Sequence, residues 1–221
     1  MFDNALPSAL LSDMDGLLLD TEHLSKITFD EMAKDYQLTN ADVIFPQLIG
    51  RNKKAHHDIF SRTLPKGIDP LAFDQEWIRR FLELLEHDVP VKAGVKDTLS
   101  HARKLGIPMM VVTSTMTAKA EILLERAGLL GFFEGVIGGD QVGEGKPHPE
   151  IYVRGAEALS ATPEQCLALE DSNNGVLSAY HAGTKVIQIP DLAPASDDII
   201  ALGVPQLEKI SDIPTYLGWP S

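Results

Sequence analysis

Five short apolar runs constrain this chain more than any other feature. They are "SALLS" (8–12), "PMMVVT" (108–113), "GVIGG" (135–139), "CLALE" (166–170) and "KVIQIP" (185–190). None has a helical period, so each reads as a short buried strand. A helix-like stretch precedes every run but the first. "VKDTLSHARKLG" (95–106) sets Val95, Leu99 and Ala102 on one face and stops at Gly106. "AKAEILLERAG" (118–128) stops at Gly128, and "EIYVRGAEALS" (150–160) and "NGVLSAYHAG" (174–183) behave alike. Strands that alternate with helices predict an α/β fold, with a doubly wound, mostly parallel sheet covered on both faces.

The stretch from 21 to 88 breaks this rhythm and holds no convincing strand. "TEHLSKITFDEMAKDY" carries Leu24, Ile27 and Met32 near helical spacing. "KKAHHDIFSRTL" continues the pattern through Ala55, Ile59 and Phe60, and "DQEWIRRFLELLEHD" aligns Trp77, Ile78, Phe81, Leu82 and Leu85. The expected organisation is an α/β core of residues 1–20 and 89–221, with a helical cap of residues 21–88 inserted after the first strand. Such an insert would stand over that strand's C-terminal end, where open α/β sheets bind ligands.

Composition narrows the function. The 221 residues, 44% of them hydrophobic, can form a main domain with a smaller one. A formal net charge of −13 argues against nucleic acid as a partner. It leaves room for an anionic substrate, since a bound metal reverses the local sign. The lone Cys166, among apolar neighbours, reads as a buried structural thiol, and nothing points to an oxidising compartment. The N-terminal "MFDNALPSALLSD" lacks the pattern of a signal peptide, and no segment has the length of a membrane span. A cytoplasmic monomer with no membrane partner is expected.

Polar groups gather where the strands end. The first run ends at Asp13 and leads to Asp15 and Gly16. The second ends in "VVTST", with Thr113, Ser114 and Thr115. "GDQVGEGKPHPE", with Lys146, follows the third, and the fourth ends in "LEDSNNG", with Glu170 and Asp171. Each alone has an ordinary explanation: a solvated Asp-x-Asp-Gly turn, a helix cap at Thr-Ser-Thr or at Asp171 and Ser172, a proline-rich loop with its lysine in water. In a parallel sheet, however, these ends converge on one rim, and all of them in order make coincidence a poor account.

In "DMDG" (13–16), "VVT" ending at Thr113, "GKPHP" with Lys146, and "LEDS" with Glu170 and Asp171, the sequence resembles the haloacid dehalogenase-like phosphatases. The resemblance is to the β-phosphoglucomutase-like branch with a helical cap, and it covers nearly the whole chain. It implies a Rossmann-like core and an Mg²⁺-dependent phosphatase of small phosphorylated metabolites, such as sugar phosphates. Asp13 would be the nucleophile that forms an aspartyl-phosphate, and Asp15 the acid and base that serves the leaving alcohol and then water. Mg²⁺ would be held by Asp13, Glu170, Asp171 and the backbone carbonyl of Asp15. Lys146, Thr113 and Ser114 would hold the phosphoryl oxygens.

Three rival readings accompany this one: a phosphosugar mutase of the same branch, an idle binding protein, and a dehalogenase. Asp15 and Asp171 count against the dehalogenase, and the four intact signatures against the idle protein. The mutase would need a cap histidine and a cap arginine. Aligned without a gap, those positions fall near Ser25, two residues from His23, and near Lys53, close to Arg51. Glu22, His23, Arg51 and Lys53 are candidates for substrate specificity, weighed against a solvated face. His56 and His57 read as a surface pair, His148 as a loop residue, and Trp77 as core.

Overall fold

The computed structural model describes residues 6–49, 53–87 and 89–220. In chain order its main elements are β1 (Ala9–Ser12), α1 (Thr21–Asp35), α2 (Ala41–Ile44), α3 (Lys53–Thr63), α4 (Pro70–His87), α5 (Val95–Lys104), β2 (Met109–Val112), α6 (Thr117–Arg126), β3 (Gly135–Ile137), α7 (Glu150–Ala158), β4 (Cys166–Glu170), α8 (Asn173–His181), β5 (Lys185–Gln188), α9 (Asp197–Ala201) and α10 (Ile213–Tyr216). The chain divides into two compact units, residues 1–20 with 90–221, and residues 21–89.

The first unit carries a five-stranded sheet in the order β3-β2-β1-β4-β5, and every pairing is parallel. All four residues of β1 and of β2 are buried, as are all five of β4. Strands covered on both faces need no polar alternation, which is why these runs are continuously apolar. Successive side chains still point to opposite faces. Leu11, Val112 and Ala168 pack with Ile151, Tyr152 and Val176 from α7 and α8. Their neighbours Leu10, Val111 and Leu169 are also fully buried. Helix α7 approaches the sheet closely at Gly155, where an added Cβ would lie 2.8 Å from Val112 Cγ2.

Just beyond β1 the chain closes on itself. Leu18 and Leu19 donate to the Met14 carbonyl, and Gly16 donates to that of Leu19. The segments that leave and rejoin this unit are paired: Asp20 donates to Pro90 and Lys92 to Leu18. The Lys92 ammonium is ion-paired with Asp191 and lies 3.8 Å from Asp20. Leu17, Leu18 and Leu19 are buried in this arrangement, which the sequence reading did not anticipate.

Helices are the only regular elements among the described residues of the second unit, which is centred on Phe29. That ring lies 5.4 Å from Phe45, 6.0 Å from Phe73 and 5.3 Å from Trp77, measured between centroids. The Trp77 indole N–H donates to the Ser25 carbonyl and the Thr28 hydroxyl, so its polar end is satisfied. This corrects the face expected for α1. Thr28, Phe29, Met32 and Ala33 are buried, whereas Ile27 is 41% exposed. Seating Phe29 among the rings turns Ile27 outward. Trp77 is core, as expected, but His56 is only partly exposed. Its ring stacks on Trp77 at 5.7 Å, Nε2 lies 3.0 Å from the Leu48 carbonyl oxygen, and Nδ1 lies 3.5 Å from Asp74. His57 is the exposed member of the pair.

No helix among the described residues is long and apolar enough to cross a membrane.

Candidate active site

β1 sits between β2 and β4, so the C-terminal ends of these three strands are adjacent. Asp13 extends β1 by one residue, donating its backbone N–H to Leu169 at 3.0 Å. Thr113 extends β2 in the same way, donating to Ile137. Glu170 is the last residue of β4, and Asp171 follows it. Strand direction alone therefore delivers two carboxylates and a hydroxyl to one edge of the sheet, with Asp171 next in chain.

Lys146 reaches that edge from the loop before α7. Its side chain is 6% exposed, which rules out the solvated-lysine explanation. Its ammonium donates to Asp13 Oδ1, to Glu170 Oε1 at 2.6 Å and to the Val112 carbonyl at 3.1 Å. All three of its protons are thus engaged. Burial works to lower the Lys146 pKa, but the charges of Asp13 and Glu170 outweigh it and raise the value. The lysine stays an ammonium.

Glu170 is more fully bonded still. Oε1 accepts from Lys146 and from the Tyr152 hydroxyl at 2.7 Å. Oε2 accepts from the backbone N–H groups of Asp171 and Ser172 and from the Ser172 hydroxyl. Ser172 also caps α8, accepting from the Gly175 N–H at 3.1 Å. Gly175 makes room for the carboxylate, since a Cβ there would overlap Glu170. Gly16 does the same for Asp171, and its φ of 84° is itself a conformation glycine adopts without strain.

Asp15 accepts from the Thr115 hydroxyl at 2.8 Å, and Thr113 Oγ1 lies 3.5 Å from the same oxygen. Ser114, between the two threonines, is exposed. Hydrogen bonds join Lys146 to Asp13 and Glu170, Asp171 lies in the Asp13–Glu170–Asp171 cluster, and Asp15, two residues beyond Asp13, meets Thr113 and Thr115. Tyr152 contacts this group and was given no part by sequence reasoning, which named Thr115 as a strand-end hydroxyl without its pairing to Asp15. Tyr152 carried one faint signal, as the only aromatic residue of its core cluster among the described residues. A buried tyrosine hydroxyl needs a partner.

Glu22 and His23 open α1 in the helical unit, with His23 exposed, and Lys53 opens α3. Arg51 lies outside the described residues. Cys166 is buried, as expected, and burial pushes its thiol up to about 11. His148 lies in a loop with Nε2 3.0 Å from Glu144.

Carboxylate oxygens of Asp13, Glu170 and Asp171 come within 4.8 Å of one another, a set that could hold a metal ion. The donor set fits a hard divalent cation: oxygen ligands, all buried. Charge balance fits it too. One ammonium faces three buried carboxylates, and the pKa of Asp13 among them is raised to about 8. Burial is the main cause; Lys146 opposes it, and Glu170 and Asp15 add to it.

The haloacid dehalogenase-like hydrolase family model matches residues 10–189. The chain belongs to this family. Among its relatives, a phosphorylated carbohydrates phosphatase of Thermotoga maritima is 32% identical over 183 residues, covering 81% of this chain and 83% of that protein. Hexitol phosphatase B of Escherichia coli (strain K12) is 26% identical and covers 93% of each chain. The crystal structure of a putative β-phosphoglucomutase from Thermotoga maritima superposes with a TM-score of 0.78 at 26% identity, covering 95% of this chain and 98% of that one. The haloacid dehalogenase-like chain is therefore an enzyme, a hydrolase of the phosphatase kind, and its parallel sheet has the architecture of its solved relatives.

Proposed function

We propose that this enzyme is an Mg²⁺-dependent phosphatase that hydrolyses a small phosphorylated metabolite of the cytoplasm, a sugar phosphate first among the candidates, by way of an aspartyl-phosphate on Asp13. The observation that carries the reading is the Lys146 ammonium bonded to both Asp13 and Glu170 at adjacent strand ends. It joins a nucleophilic carboxylate to a fixed positive charge on one buried edge.

In this reading an Asp13 oxygen attacks phosphorus, forming the Asp13 O–P bond as the ester P–O bond breaks. Asp15 gives its proton to the departing alkoxide. It then takes one from a water molecule, whose oxygen attacks phosphorus and displaces Asp13, yielding inorganic phosphate. The Thr115 hydroxyl holds the Asp15 carboxylate for both transfers. Lys146, Thr113 and the Ser114 N–H take the phosphoryl oxygens. Asp13, Glu170, Asp171 and the Asp15 carbonyl would hold Mg²⁺, and Glu170 also anchors Lys146. When bound, the ion supplies the positive charge that keeps Asp13 ionised beside an anionic substrate. The helical unit is assigned the role of a cap, with Glu22, His23, Arg51 and Lys53 as its candidate specificity residues.

Two relatives named as carbohydrate or hexitol phosphatases support the sugar phosphate. Ser25 and Lys53, where a mutase would carry histidine and arginine, favour hydrolysis over isomerisation. A screen of phosphorylated metabolites for phosphate release, run with Mg²⁺ and with EDTA, tests the reading. Release that needs the metal is expected. Full turnover in chelator contradicts the metal role, and conversion of β-glucose 1-phosphate to glucose 6-phosphate without free phosphate contradicts hydrolysis.

A further inference from the structure

Tyr152, near the start of α7, is fully buried. Its hydroxyl donates to Glu170 Oε1 at 2.7 Å, and its ring centroid lies 5.3 Å from the Lys146 ammonium. Both contacts bear on one question: where Lys146 stands between two carboxylates. Lys146 and the Tyr152 hydroxyl share the same oxygen of Glu170. A carboxylate has about four lone-pair sites, and Glu170 accepts from Lys146, Tyr152, two backbone N–H groups and the Ser172 hydroxyl. Every donor on Glu170 spends some of the negative charge with which it draws Lys146 away from Asp13. The ring face adds a weak, non-bonding attraction for the ammonium.

We infer that Tyr152 is a positioning residue for Lys146: its hydroxyl pins Glu170 and moderates that carboxylate's hold, leaving the ammonium poised at Asp13. The role for turnover rests on the phosphatase reading above; the geometric role does not. An aliphatic or phenylalanine side chain would fill the same volume, so packing alone leaves the hydroxyl unexplained.

Tyr152→Phe tests this, since it keeps the ring and removes one oxygen. With p-nitrophenyl phosphate and saturating Mg²⁺, kcat should fall about tenfold while KM stays within about twofold, the loss of one hydrogen bond to a charged group. The melting temperature should fall by the few degrees that the same lost hydrogen bond costs the fold. In a Lys146→Met background the same substitution should lower kcat no further, because a residue that acts through Lys146 has nothing left to act on. An equal loss in both backgrounds would overturn the inference, as would an unchanged kcat in Tyr152→Phe. A second readout needs no activity. In ¹⁵N-lysine-labelled protein, with Lys146→Arg identifying the signal, the Lys146 ammonium resonance should shift in Tyr152→Phe. If the wild type hydrolysed no phosphate ester, the phosphatase reading would fall and this resonance would still decide: a shift upholds the positioning role, and no shift overturns it.

Discussion

The α/β unit and the helical unit bury polar groups in opposite ways. In the first, Asp13, Lys146, Glu170 and Asp171 collect at one edge of an aliphatic sheet, each bonded to or crowded against another. In the second, the centre is a set of aromatic rings around Phe29, and Asp74 is its one buried carboxylate among the described residues. Backbone direction places the charges of the first unit, because parallel strands end together. Side-chain shape sets the interior of the second. The proposed chemistry therefore rests on residues of the first unit.

The largest expected effect breaks the first unit's function and spares both folds. Asp13→Asn keeps size and shape but removes the proposed nucleophile, so phosphate release should fall by about a thousandfold or more. Circular dichroism and melting should stay close to wild type. Retained turnover would remove Asp13 from the reaction.

Phe29→Ala tests the other side of the comparison. Emptying the middle of the ring cluster should cost about 3–5 kcal/mol. If the interiors are separate in kind, calorimetric Mg²⁺ affinity should remain within about twofold at a temperature where the variant is folded. A joint loss of stability and metal affinity would show that the rings support the charged edge.

The α/β architecture was legible because each strand is a short apolar run, and four of the five end in, or lead shortly to, a polar residue of evident chemical use. Asp13, Thr113, Lys146, Glu170 and Asp171 could be collected from those positions without knowing one distance. Hydrogen-bond partners could not. Tyr152 reads as one more apolar position of α7, and only the rotation of that helix aims its hydroxyl at Glu170. Thr115 reads as a strand-end hydroxyl, and its pairing with Asp15 depends on the turn after β1. In the helical unit a period of apolar residues suggested Leu24, Ile27 and Met32. The large ring of Phe29 decided the face instead. His56 was hidden for a related reason: one turn before Phe60, it shares the face that meets Trp77.

Gly175→Ala sharpens the contrast at a smaller scale. In an ordinary exposed helix this change is favourable. Here the added methyl would overlap Glu170, so a loss of about 1–3 kcal/mol is expected in chemical denaturation. Lys146 should lose its anchor with it, lowering kcat as well. A stabilised, fully active variant would contradict the packing of Glu170 against α8.

A last effect, read only in metal-free protein, is a slope with pH. Asp13 has a pKa raised to about 8 in the folded chain, against an ordinary value of 3.8, first through burial. Between these values the folded state binds more protons than the unfolded one, so the stability this group contributes is present below the lower value and lost as pH rises through the upper. In EDTA the melting temperature should therefore decline from pH 5 to pH 8. Asp13→Asn should flatten that decline, and so should Mg²⁺ in the wild type. A metal-free protein that gains stability over the same range would mean that other groups control the edge.

The central claim is that the charged edge of the sheet carries a covalent intermediate on Asp13. Wild-type protein and Asp13→Asn, mixed with Mg²⁺ and a rapidly transferred phosphate ester, quenched in acid within one turnover and digested, can be compared by mass spectrometry. The account predicts that the wild-type peptide containing Asp13 gains the mass of one phosphoryl group, labile to hydroxylamine, and that the variant peptide gains nothing. A phosphoryl group on any other residue, or turnover with an unmodified Asp13 peptide at every quench time, would contradict it.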